Sequence, residues 1–331
     1  MSVPIAAAAG SPYARVMSVA SYVPSRVVDN AEMCTYIDSS DEWIQQRTGI
    51  AERRWAGEGE TVETMALDAG RLAVERAGIE ASELGAVIVS TVTYYHQTPS
   101  LAAKLAHRLG TTGAAFDISA ACAGFCYGLG QAEALVRSGA ARYVLVIGVE
   151  ELSRFTDVHD RSTAFLFADG AGAAVVGPSE VNGIGPVVWG SDGGQSQAIT
   201  QTVEWSEALA AGQTPYITMD GRAVFKWASG FIADAAKQVL DAAGMTPDDL
   251  EVFIPHQANN RITDAMLRSL KLPEHVVVAR TIRQFGNNSA ASVPMAMDAL
   301  LASGEAKSGQ TALLIGFGAG LVYAGKIVTL P

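Results

Sequence analysis

AGIEASELGAVIVS, residues 77–90, recurs later in the chain as AGMTPDDLEVFIPH, residues 243–256. The offset is 243 − 77 = 166, half the length of the 331-residue chain. Each copy leaves a helix through an Ala-Gly turn, crosses an acidic connector and enters an apolar run, which is how a buried parallel strand of a βαβ unit reads. RYVLVIG (142–148) and QTALLIG (310–316) form a second pair, at 310 − 142 = 168. The chain therefore reads as two similar α/β halves, 1–178 and 179–331, joined near Gly177 to Gly185.

An apolar content of 49% supplies a core for two compact domains or one large one. The three cysteines cannot build a disulfide framework, and Cys122 and Cys126 stand one helical turn apart, where a bridge is disfavoured. That usage fits a reducing, cytoplasmic setting. The opening MSVPIAAAAGSP carries no Lys or Arg and no long apolar core, so it does not read as a signal peptide. No run approaches the roughly 20 apolar residues of a membrane span. A net charge of −11 argues against general nucleic-acid binding.

Chemistry concentrates at three places. In FDISAACAGFCYGLG (116–130) a strand hands over to a helix that spans Ala123–Val136 and is closed by Gly139, with Cys122 at the junction. Unpaired N–H groups at a helix N-terminus favour a thiolate, so Cys122 is a candidate nucleophile; a small core residue among alanines is the competing reading. His256 ends the repeated strand at the position of Ser90, and functional groups of α/β folds gather at such strand ends. In FGNNSAASVP (285–294), counting 166 back from Asn288 gives Cys122, so Asn287-Asn288 is expected at the equivalent junction. One of the two asparagines would cap a helix, leaving a spare amide for a shared cleft.

Two other segments bear on the site. GFGAG (316–320) is followed by strand-like VYAGKIV with no helix to receive a phosphate, so its glycines are read as letting backbone N–H groups approach a reacting centre. Residues 150–168 have no counterpart at the repeat spacing, and 189–220, rich in Gly, Ser, Gln and Thr, reads either as a lid or binding loop or as a solvated excursion. Cys122 and Cys126 are the only close pair of soft ligands, so no catalytic metal is expected.

Together SSDEWIQQRTGI (39–50), ACAGF (121–125), DRSTAFLFADGAGAAV (160–175), VFKWA (224–228), PHQANNRI (255–262) and FGNNSAASVP resemble β-ketoacyl-acyl-carrier-protein synthase III of the thiolase superfamily. The resemblance implies a thiolase-like fold of two βαβαβαββ halves in αβαβα layers, usually a homodimer. It implies a Cys-His-Asn triad at Cys122, His256 and Asn287, with backbone N–H groups of Cys122 and Ala319 as oxyanion donors. The implied reaction joins an acyl-CoA primer to malonyl on acyl carrier protein with loss of CO₂, initiating fatty-acid synthesis without a cofactor. Trp43, Arg47 and Arg161 match coenzyme A contacts. Lys226 and Arg261 match the carrier-protein patch, which Arg222, Arg268 and Lys271 would extend, and Phe317 matches an aromatic near the site. Thr98 stands where many members carry a bulky aromatic at the dimer-facing end of the acyl pocket, so a roomier pocket for branched or longer primers is expected. Asn288 and Ala319 replace the commoner Thr and Gly. A secondary-metabolite acyltransferase on the same scaffold and a type III polyketide synthase-like condensing enzyme are the alternatives.

Overall fold

The protein is described by a computed structural model covering residues 5, 6 and 8–331; the opening segment read as lacking a signal peptide lies partly outside the described residues. The strands of the first half are β1 (Tyr13–Tyr22), β2 (Arg26–Asp29), β3 (Glu52–Trp55), β4 (Leu84–Ser90), β5 (Ala114–Ile118), β6 (Tyr143–Glu151) and β7 (Asp169–Ser179). Those of the second are β8 (Val188–Ser191), β9 (Ile199–Gln201), β10 (Ile217–Met219), β11 (Val252–Pro255), β12 (Val277–Val278), β13 (Thr311–Gly318) and β14 (Val322–Thr329). Both runs of the repeat are strands buried along nearly their whole length, β4 and β11.

Two five-stranded sheets result, ordered β1-β7-β6-β4-β5 and β8-β14-β13-β11-β12. In the first, β4 runs parallel to β5 and β6, whereas β6–β7 and β7–β1 are antiparallel. The second repeats this, with β11 parallel to β12 and β13 and with β13–β14 and β14–β8 antiparallel. Parallel neighbours need long crossovers, and helices supply them.

Two of those helices, Gly124–Ser138 and Ser292–Ser303, lie between the sheets. Phe125, Leu129, Val293 and Met297 share one core with Ile88 and Val146 of the first sheet and Ile254 and Leu314 of the second. Helices Val62–Ala77 and Leu101–Leu109 cover the outer face of the first sheet, and Ala233–Ala242 with Asn260–Leu270 cover that of the second. The layers are therefore αβαβα. Both central helices stop at a glycine in the left-handed region, Gly139 and Gly304, each at φ 77°.

The central helices begin alike: a 3₁₀ turn, Ala121–Ala123 or Ser289–Ala291, leads directly into each. Its first residue has positive φ in both, 43° at Ala121 and 45° at Ser289. Such a conformation at a residue with a side chain costs on the order of 1–3 kcal/mol and is held by its surroundings. Glycine makes room for each turn from the opposite half. A Cβ on Gly148 of β6 would stand 2.2 Å from the Ala290 carbonyl oxygen, and one on Gly316 of β13 would stand 2.8 Å from that of Cys122.

This geometry corrects the expected equivalence of Cys122 and Asn288. The offset of 166 relates β4 to β11, but the turns are related by 289 − 121 = 168, so the counterpart of Cys122 is Ala290. The connection before the second turn is the longer one and carries an extra helical segment, Ile282–Phe285, which shifts the count. Residues 189–220 are also more ordered than a loop, holding the β9–β10 ribbon and helix Trp205–Ala211. No helix among the described residues is long and apolar enough to cross a membrane.

Candidate active site

Cys122 sits inside the first turn, half-buried. Gly318, last residue of β13, closes over it, and a Cβ there would come 2.8 Å from both Cβ and Sγ of Cys122. Burial pushes the thiol up to about 12, Ser289 draws it down and Glu150 pushes it up. Desolvation thus works against the thiolate that the helix N-terminus favours.

His256 follows β11 and is 2% exposed, with its backbone N–H donating to the Ile315 carbonyl at 2.7 Å. Its Nδ1 lies 2.6 Å from Ser292 Oγ, on the first turn of the second central helix. The Gln257 N–H points at that same oxygen from 3.4 Å. Where the Ser292 hydroxyl donates to Nδ1, the ring proton of the neutral imidazole resides on Nε2. Burial pushes His256 down to about 3, so the imidazole is neutral around pH 7. The Phe317 ring meets it edge-on, with centroids 5.4 Å apart and planes at 77°.

Asn287 is held through its backbone by the 163–168 segment: its N–H donates to Leu166 O, and its carbonyl accepts from the Ala168 N–H, both at 2.9 Å. Its Oδ1 accepts from the Ser289 N–H at 3.0 Å, which leaves the Nδ2 donors for the cleft. Asn288 is buried with its Nδ2 unpaired and does not line the cleft. The expected division of one capping and one spare asparagine is therefore replaced by a single asparagine, Asn287, that binds the turn through its oxygen and presents its nitrogen.

A cleft of about 800 Å³ is lined by Cys122, His256, Asn287 and Phe317, and also by Trp43, Arg47, Arg161, Arg222 and Arg261. Arg47 and Arg161 both approach the Trp43 ring, at 5.6 and 5.4 Å from its centroid, and Phe165 meets that ring edge-on at 5.3 Å. An aromatic face with two flanking guanidinium groups suits a base bearing phosphates. The Arg261 guanidinium lies 5.3 Å from the Phe225 ring centroid.

Other expected positions fall outside the lining. Thr98 is exposed in the 95–99 segment and does not border the cleft of this chain. Lys226 and Arg268 are exposed beyond the lining, as is Lys271. Gly318, beside Ala319, is packed against Cys122. Sequence reasoning missed Ser289 and Ser292, although both stand in the FGNNSAASVP stretch, and it missed Ile199 and Met219, through which the 189–220 excursion reaches the cleft. Cys126 is buried, as expected of a core residue.

The family model described as 3-Oxoacyl-[acyl-carrier-protein (ACP)] synthase III matches residues 116–193, and its C-terminal counterpart matches 240–330. The chain is 57% identical to Beta-ketoacyl-[acyl-carrier-protein] synthase III 1 of Streptomyces coelicolor, covering 97% of this chain and 98% of that protein. It is 50% identical to the Mycobacterial beta-ketoacyl-[acyl-carrier-protein] synthase III of Mycolicibacterium paratuberculosis, covering 99% of this chain and 98% of that one. Among solved structures, the priming beta-ketosynthase from the R1128 polyketide biosynthetic pathway superposes with a TM-score of 0.96 at 47% identity, covering 99% of each chain. The 3-oxoacyl-[acyl-carrier-protein] synthase III of Aquifex aeolicus does so with 0.88 at 37% identity, covering 96% of this chain and 99% of that one. With its paired sheets, its two central helices and a cysteine, a histidine and an asparagine on one cleft, the chain belongs to the β-ketoacyl-acyl-carrier-protein synthase III family of condensing enzymes.

Proposed function

We propose that Cys122, His256 and Asn287 divide the family's decarboxylative Claisen condensation between them. The single observation that carries this is the setting of the three side chains: a thiol and two neutral N–H donors line one cleft, with each donor's other polar atom already engaged. The Cys122 sulfur attacks the acyl-CoA carbonyl, and backbone N–H groups of Cys122 and Ala319 receive the oxyanion. Coenzyme A leaves and the acyl-enzyme remains. Malonyl on acyl carrier protein enters next. Loss of CO₂ leaves an electron pair delocalised onto the thioester oxygen, where His256 Nε2–H and Asn287 Nδ2 stabilise it. Neutral donors suit this step, since neither is titrated near neutral pH. The carbanion attacks the acyl carbonyl, the Cys122 sulfur leaves and takes up a proton, and 3-ketoacyl carrier protein departs.

Coenzyme A would stack its adenine on Trp43 with its phosphates on Arg47 and Arg161. The acidic carrier protein would dock on the rim formed by Arg222, Lys226, Arg261 and Arg268, and the halves 1–178 and 179–331 would contribute thiol and donors respectively. A homodimer would cover the exposed Tyr95 and Thr98. Intact-mass analysis after mixing with acyl-CoA tests the nucleophile: an acyl group should appear on the wild type and not on Cys122→Ala. His256→Ala and Asn287→Ala should still acylate yet release no CO₂ from malonyl carrier protein; equal loss of both half-reactions would refute the division.

The likeness to a priming ketosynthase of a polyketide pathway favours a second reading, in which the product primes a polyketide rather than a fatty acid. Primer masses recovered on Cys122, with condensation rates on carrier proteins of both kinds of pathway, separate the two.

A further inference from the structure

His256 and Asn287 are carried by separate segments of the second half, and one buried side chain ties those segments together. The ladder between β11 and β12 starts as a parallel pair should: the Val277 N–H donates to Glu251 O at 2.9 Å and the Ala279 N–H to Phe253 O at 3.0 Å. The next rung would run from the N–H of residue 255 to the Ala279 carbonyl. Residue 255 is proline, which has no N–H, so the ladder stops there, one residue before His256.

Gln257 supplies what the proline lacks. Its Nε2 donates to Ala279 O at 3.2 Å and to Pro255 O at 2.8 Å, and its Oε1 accepts the Ile282 N–H at 3.2 Å. Two carbonyls at one end of the amide and an N–H at the other admit a single orientation of the group. Gln257 is 2% exposed, and it stands outside the cleft lining, in which its neighbours His256 and Ala258 both appear. Its amide is therefore spent on backbone and not on substrate.

The two ends of this bracket lead to the two donors. Pro255 directly precedes His256. Ile282 opens the short helix Ile282–Phe285, which closes with a bond from the Gly286 N–H to Ile282 O at 3.0 Å, and Gly286 directly precedes Asn287. From the other side Asn287 is gripped by Leu166 and Ala168 of the first half, so Gln257 is a tie to it from within the second. An apolar side chain at 257 would take donors from two buried carbonyls and the acceptor from a buried N–H, freeing the strand end and the helix start to shift against each other.

We propose that Gln257 is a positioning residue that sets the spacing of His256 and Asn287 for the step that loses CO₂. This role rests on the division of labour proposed above, in which those two stabilise charge on the thioester oxygen while Cys122 takes the acyl group. Gln257 touches neither substrate nor reacting atoms. The surroundings of the thiol, the Ala121–Ala123 turn and Gly318, receive none of its side-chain bonds, so acyl transfer to Cys122 does not draw on it.

The test separates the two half-reactions in Gln257→Met, which keeps the length of the side chain and removes its amide. Release of CO₂ from malonyl carrier protein should fall up to about 100-fold, the scale of a misplacement of about 1 Å, while single-turnover acylation by acyl-CoA stays near the wild-type rate. Adding Pro255→Ala returns a backbone N–H to the rung that faces Ala279 O, so the double variant should release CO₂ several-fold faster than Gln257→Met. Equal loss of both half-reactions in Gln257→Met, or CO₂ release at the wild-type rate, overturns the assignment, because general damage to the fold spares neither step. If Gln257→Met does not fold, as judged by circular dichroism, the double variant is measured against the wild type in the same two assays and decides in the same two ways. Wild-type CO₂ release from His256→Ala and Asn287→Ala would instead sink the division of labour itself, which keeps the two failures apart.

Discussion

Ser292 Oγ stands 2.6 Å from His256 Nδ1, across the boundary between β11 and the second central helix. By donating there, Ser292 would hold the ring proton on Nε2 without itself lining the cleft. Ser292→Ala releases the ring to adopt either tautomer. Release of CO₂ from malonyl carrier protein should fall about 10- to 100-fold, since a weakened oxyanion donor costs that order, while single-turnover acylation by acyl-CoA stays near the wild-type rate. Equal loss in the two assays would show that the contact is only structural.

Glycine 318 is expected to be indispensable for access to the sulfur. Gly318→Ala places a methyl group 2.8 Å from Cys122 Sγ and Cβ, so acylation should drop by more than 100-fold with the fold retained in thermal melts. Gly148→Ala should do the reverse. Its methyl would press on a backbone carbonyl at 2.2 Å in the layer between the sheets, which cannot give way like a side chain end. Overpacking of this kind costs about 1–3 kcal/mol or more and should lower the melting temperature first.

Arg47→Ala and Arg161→Ala should raise KM for acyl-CoA several-fold each and leave kcat little changed, because the two cations flank Trp43, the proposed seat of the adenine, and not the thiol. Steady-state kinetics at two salt concentrations checks this. The wild-type KM should rise with salt, and the double variant's should not.

Acid and base titrations of stability should carry opposite signatures of His256 and Glu150. His256 has a folded pKa of about 3, below its unfolded 6.5, so between those values only the unfolded chain binds the proton. Its contribution is present above pH 6.5 and is lost as pH falls toward 3. Glu150 is raised from 4.5 to about 7, so in that window only the folded chain is protonated, and its contribution is lost as pH rises through 7. Urea unfolding from pH 4 to 8 should show His256→Gln gaining on the wild type toward acid, and Glu150→Gln gaining on it toward pH 8.

Much of this was legible in the residues. The 77–90 and 243–256 copies gave the paired sheets, because strand spacing is rigid and a repeat register survives along it. The register failed at Asn288, since the insertion of Ile282–Phe285 lies in a connection, where length is free to change. Cys122, His256 and the Asn287-Asn288 pair were readable as candidates from their junctions, and the resemblance singled out Asn287. The state of the thiol was not, because local sequence shows a helix N-terminus but not the layer that buries it. The seat of the Ser289–Ala291 turn on Gly148 was unreadable for the same reason, because the two meet only when the halves close on each other. Thr98, which the resemblance places at the dimer-facing end of the acyl pocket, is exposed in the single chain.

The two matched turns, each seated on a glycine of the opposite half, have a stoichiometric consequence. Ala290 occupies the socket that mirrors Cys122, so only one of the two sockets can be loaded. With Cys122 as the proposed nucleophile, each chain would store a single acyl group however much primer is supplied. The vacant twin carries Ser289 and, one turn on, Ser292 beside His256.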